Sequence, residues 1–167
     1  MKPILFTFAF AATLAAQNFI QMSDPQFGMF TKDASFEHET VNFEFAIATA
    51  NRLKPAFVVI TGDLINKGGD AAQAAEFKRI SAKLDPKIRL FSIPGNHEVG
   101  NEPTAESLAL YRERFGKDYY SFRIGDIAGY LRASQGAYAM CSFALMLGLP
   151  SSSIIGVTSA EKSLMAM

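Results

Sequence analysis

The stretch Phe57-Val58-Val59-Ile60-Thr61-Gly62-Asp63 decides the fold. Its first four residues are β-branched or aromatic with no polar alternation, the pattern of a strand buried on both faces. The run breaks at Gly62-Asp63, so a carboxylate stands just beyond the strand's carboxyl end. Upstream, Phe19-Ile20-Gln21-Met22 reads as a short strand entering the turn Ser23-Asp24-Pro25, with Gln26 next. Downstream, Ile88 to Ile93 reads as a third strand running into Pro94-Gly95-Asn96-His97-Glu98.

Helical patterns separate these strands. Ser35 is placed to cap a helix through about Lys54, with Val41, Phe45, Ala48 and Leu53 at helical spacing and Pro55 as its stop. A second helix fits Asp70 to Leu84 before Asp85-Pro86. A third starts at a Thr104 cap, carries Leu108, Tyr111 and Phe115 on one face, and closes at Gly116. Tyr119 to Ile124 then reads as a strand. The alternation predicts an α/β layered fold whose first sheet is largely parallel.

Ligands of such sheets bind beyond the carboxyl ends of the strands. Three polar clusters fall there: Asp24 with Gln26, Asp63 with Asn66, and Asn96 with His97 and Glu98. Asp24 and Asp63 are 39 residues apart and Asp63 and Asn96 are 33 apart, room for one crossover helix each. Each cluster alone is an ordinary turn or cap. Together they offer oxygen and imidazole donors, the chemistry of a divalent-metal site. His38, between Glu37 and Glu39, reads as a solvated surface residue.

Composition bounds the rest. A chain of 167 residues, 49% hydrophobic, suits one domain with a real core. Sixteen Lys and Arg against sixteen Asp and Glu leave no basic excess for nucleic acid. The single cysteine, Cys141, excludes an internal disulfide. No P-loop and no G-x-G-x-x-G is present. Lys2, the apolar run Ile4 to Ala12, and the small residues Thr13, Ala15 and Ala16 have the layout of a signal peptide over residues 1–16. That predicts export; the apolar run is shorter than the ~20 residues a membrane span needs, so no stable membrane anchor is expected.

As a set, Ser23-Asp24-Pro25-Gln26-Phe27-Gly28, Thr61-Gly62-Asp63-Leu64-Ile65-Asn66 and Pro94-Gly95-Asn96-His97-Glu98 resemble the D-x-H, G-D-x-x-[DN] and G-N-H-[DE] motifs of calcineurin-like metallophosphoesterases. Gly100 to Glu106 and Asp118-Tyr119-Tyr120-Ser121-Phe122 make it look closest to the calcineurin-like phosphoesterase-domain-containing type, known as serine/threonine phosphatases. The resemblance covers about Phe19 to Asp126. It implies the N-terminal half of a four-layer αββα sandwich, two divalent metals (Mn, Fe, Zn or Mg) and hydrolysis of phosphomonoesters or phosphodiesters, phosphoproteins among them. By position it makes Asp24, Gln26, Asp63 and Asn96 metal ligands, with Asp63 bridging. His97 becomes the residue that serves the leaving group or steadies a phosphoryl oxygen, and Glu98 its orienting partner. Gln26 stands where most of the family has a metal-binding histidine.

The family adds three histidines downstream, and this sequence has none after His97. From Ile127 to Met167 only Arg132, Glu161 and Lys162 are charged, and no further strand is recognisable. The expected organisation is therefore a signal peptide at 1–16, the N-terminal part of a phosphoesterase domain at 17–126, and a divergent tail of non-native origin at 127–167. On that reading the first sheet lacks its partner sheet and has one face covered only by the tail. The alternative function is a non-catalytic remnant that binds metal or phosphate weakly, or acts only through a partner.

Overall fold

The computed structural model describes residues 18–125, 127–133 and 139–145. The expected signal peptide and everything beyond residue 145 lie outside the described residues. Among the described residues, no helix is long and apolar enough to cross a membrane.

Elements run in the order β1 (Ile20–Met22), α1 (Glu37–Leu53), β2 (Phe57–Ile60), α2 (Ala71–Ser81), β3 (Arg89–Ser92), α3 (Asn96–Val99), α4 (Ala105–Phe115), β4 (Tyr119–Ile124), β5 (Ile127–Ala133) and β6 (Ala139–Leu145). The first three strands form a parallel sheet in the order β1-β2-β3, pairing Ile20 with Val58 and Val58 with Leu90. The last three form an antiparallel sheet, β4-β5-β6.

All four residues of β2 are buried, as its unbroken apolar run requires. The strand's two-residue period then divides the core. Val58 and Ile60 face the helices, packing with Phe43, Ile47 and Ala50 of α1 and Ala74, Phe77 and Ile80 of α2. Phe57 and Val59 face the other way, with Phe91 and Ile93, onto Ile127 and Leu131 of the second sheet. Phe91 stacks on Phe122 of β4 at 4.0 Å between ring centroids, and Tyr120 meets Phe91 edge-on at 5.1 Å.

The local signals held best where capping is chemical. Asp70 caps α2 by accepting from the backbone N–H groups of Ala72 and Gln73, and Thr104 caps α4 by accepting from Ser107. Elsewhere the structure corrects the sequence reading. The cap of α1 is Phe36, with no side-chain hydrogen bond, and Ser35 instead ties its backbone N–H to the Thr31 hydroxyl. The buried face of α1 is Glu39, Phe43, Ile47 and Ala50, whereas Val41 and Phe45 are 65% and 73% exposed. Both stripes have helical spacing in the sequence, and only docking on the sheet selects between them.

The first sheet does not lack a partner sheet, and its second face is covered by more than residues of the expected tail. β4 lies over it, joined by β5, a strand that the sequence reading did not recognise. The signal in β5 is faint because its inward side is Ile127, Gly129 and Leu131, with a glycine at its centre. Gly129 is there because Phe122 lies against it: a Cβ would come within 2.3 Å of the ring.

Candidate metal centre

Three segments leave the carboxyl ends of β1, β2 and β3, and main-chain bonds stitch the first to the second. Asp24 N–H donates to the Gly62 carbonyl at 3.2 Å, Gln26 N–H to Asp63 at 2.9 Å, and Asn66 N–H to Phe27 at 3.0 Å. To run side by side in this way, Asp24, Gln26 and Asp63 adopt φ of 55°, 40° and 51°, in the left-handed region unfavourable to non-glycine residues. Gly62, at φ 106°, lets the chain pass Gly95, whose Cα would lie 2.7 Å from an added Cβ. Gly95 in turn leaves room for Asp63: a Cβ there would sit 2.2 Å from Asp63 Oδ1.

The side chains complete the stitching. Asp63 Oδ1 accepts from the backbone N–H of His97 at 3.0 Å. Glu98 accepts from Ile65 N–H at 3.0 Å and from Gly95 N–H at 2.8 Å, bridging the second and third loops. Burial pushes the Glu98 carboxyl up to about 7, against the pull of those two N–H groups. Burial also raises Asp63, the His97 N–H lowers it, and the neighbouring Asp24 carboxylate raises it further. The Ser23 hydroxyl donates to Asp24 Oδ2.

The His97 ring is held at both nitrogens. Nδ1 lies 2.6 Å from the Asn66 carbonyl, and Nε2 lies 2.9 Å from the Gln26 side-chain nitrogen. Asn66 is fixed in turn by buried Gln73 of α2, whose Oε1 accepts from the N–H groups of Asn66 and Lys67 at 3.1 and 3.0 Å. Gln73 Nε2 and Asn66 Nδ2 both donate to Asp33 Oδ1, each at 2.8 Å, and those bonds hold the Asp33 carboxyl below its usual range.

A family profile for calcineurin-like phosphoesterases matches residues 18–155. The chain belongs to the calcineurin-like phosphoesterase family. The match runs on past residue 126, where the motif resemblance fades, and takes in both β5 and β6. Similar proteins include the serine/threonine-protein phosphatases CPPED1 of Bos taurus, 34% identical over 135 residues, and of Homo sapiens, 36% identical over 124. The alignments cover 72% and 65% of this chain but 43% and 40% of those proteins. CPPED1 of Danio rerio is 31% identical over 124 residues. The chain thus spans about two fifths of the length of the curated relatives it matches.

Members of this family generally use divalent metal ions. Two acidic groups, Asp24 and Asp63, interact at the rim. Exposed Asp24 and half-buried Asp63 and Asn96 stand on the three joined loops. An oxygen set of this kind fits a hard, partly hydrated cation. No group of three or more His, Cys, Asp and Glu side chains suited to a metal occurs among the described residues. His38 is exposed, with its ring against Phe30, and stands apart from the rim.

Sequence reasoning assigned Asp24, Gln26, Asp63, Asn96, His97 and Glu98 to one site, and their loops do converge. It missed Gln73 and Asp33. Gln73 sits on the inward face of α2 among apolar residues, 1% exposed, and only the burial of its amide exposes its role.

Proposed function

We propose that this chain forms the N-terminal portion of a divalent-metal phosphoesterase site that hydrolyses a phosphomonoester or phosphodiester. The convergence of Asp24, Asp63 and the Asn96-His97 turn at one sheet rim carries this reading. Asp24, Asp63 and Asn96 would hold the cation, whose chemistry is neutralisation of charge at phosphorus and activation of water. His97, on the same rim, is placed to meet a phosphoryl or leaving-group oxygen. Glu98 fixes the turn that presents His97, through its two backbone bonds. The names of the relatives favour a phosphoprotein among possible substrates.

The second reading, a non-catalytic binder of metal or phosphate, is favoured by Gln26, whose amide nitrogen faces His97 Nε2 at 2.9 Å at the position where the family motif has a metal-binding histidine. Calorimetry with Mn²⁺ and hydrolysis of p-nitrophenyl phosphate separate the two. Turnover that needs Mn²⁺ and disappears in both Asp63→Asn and His97→Ala supports the first. Mn²⁺ binding lost in Asp63→Asn, with no turnover under Mn²⁺, Fe²⁺, Co²⁺ or Zn²⁺, supports the second.

A further inference from the structure

We propose that Gln26 is a positioning residue for His97, holding the ring's Nε2 lone pair through its amide N–H instead of supplying a ligand to the metal centre. The inference rests on the reading of the rim as a phosphoesterase site. A carbonyl oxygen can only accept, so the 2.6 Å contact to the Asn66 carbonyl puts a proton on His97 Nδ1. Nε2 of the neutral ring is then an acceptor, and the Gln26 amide nitrogen at 2.9 Å donates to it. Both nitrogens are satisfied and one tautomer is selected. The lone pair with which His97 could itself capture a cation is occupied.

The backbone supports this assignment. Gln26 keeps φ at 40°, an unfavourable angle for a residue with a long side chain, and its N–H is anchored on the Asp63 carbonyl. That geometry brings its amide to the imidazole. On the far side, Gln73 and Asp33 fix Asn66, so the Nδ1 acceptor is held as firmly as the Nε2 donor. The arrangement resembles the outer-shell partners that set the tautomer of functional histidines elsewhere.

The chain contains only two histidines, so a long-range ¹H–¹⁵N spectrum of ¹⁵N-histidine protein resolves His97, with exposed His38 as the internal control. Metal-free protein at pH 8 is expected to show His97 protonated at Nδ1 and bare at Nε2. Gln26→Met keeps length but removes the donor; it should leave a mixture of tautomers while Mn²⁺ affinity by calorimetry stays within about twofold, and any kcat falls about tenfold or more at similar KM. Gln26→Glu puts an acceptor in the donor's place and should move a proton onto Nε2, which keeps the proposal testable if the Met variant folds poorly. An unchanged His97 spectrum in the variants overturns the proposal, as does a tenfold or greater loss of Mn²⁺ affinity in Gln26→Met. Mn²⁺ binding that persists in Asp63→Asn overturns the metal-centre reading instead, and leaves the spectrum to decide on Gln26.

Discussion

The two sides of the first sheet's story, its loop rim and its inter-sheet face, are built on opposite physics. The rim is held by directional bonds between strained loops: five non-glycine residues at positive φ (Asp24, Gln26, Lys32, Asp33 and Asp63), and two glycines where a Cβ would strike backbone or a carboxylate. The face toward β4 and β5 is held by area, through Phe57, Val59, Phe91, Ile93, Ile127 and Leu131. At the rim one atom out of place breaks a chain of contacts. At the face, volume and polarity matter more than any single atom.

The comparison breaks first at its apolar side. Phe91→Ala removes a ring that meets Phe57, Tyr120 and Phe122, and should cost about 3–5 kcal/mol in urea unfolding; Phe91→Leu should recover most of it. A loss below about 1 kcal/mol would mean that the two sheets do not share a core. Gly95→Ala tests the rim. The methyl collides with Asp63, so a cost of about 1–3 kcal/mol is expected, accompanied by loss of Mn²⁺ binding that Phe91→Leu does not show. Retained binding would mean that Asp63 has room to move and is not a fixed ligand.

Gln73→Ala sharpens the contrast, because it removes a polar group that only the rim uses. Lys67 N–H loses its acceptor, while Asn66 N–H and Asp33 Oδ1 each lose one of two partners, an expected cost of about 1–3 kcal/mol. Gln73→Leu, although apolar and of similar size, should not rescue it; rescue would make Gln73 a packing residue. The smallest effect is at Asp118, paired with Arg112 by two bonds of 2.9 and 2.8 Å near the start of β4. Arg112 holds the Asp118 carboxyl below its usual range, so the pair stabilises above that range and its contribution fades as pH falls through the depressed folded value. With Arg112 half exposed, Asp118→Asn should cost about 1 kcal/mol at pH 7 and progressively less in acid, as pH falls through the depressed folded value. A cost that does not change with pH would assign the effect to packing.

Much of this molecule was legible before folding. The unbroken run at β2, the Asp70 and Thr104 caps and the Gly116 stop are local signals, and each produced its element where expected. The three polar clusters were legible too, because a parallel α/β order forces consecutive strand ends onto one rim. The face of α1 was not, since two stripes share its period. β5 and β6 were not, since the glycine at the centre of β5 is explained only by Phe122, a residue on another strand.

By itself, the sequence determined the alternation of strands and helices through β4, the family, and which strand ends carry the polar clusters, because those depend on short-range pattern and connection. The tertiary structure alone decided that a second sheet covers the first, that Gln73 and Asp33 brace the loop carrying Asn66, and that Gln26 lies against His97. These are contacts between side chains tens of residues apart, whose partners are chosen by packing distance and hydrogen-bond direction, quantities with no trace in local spacing.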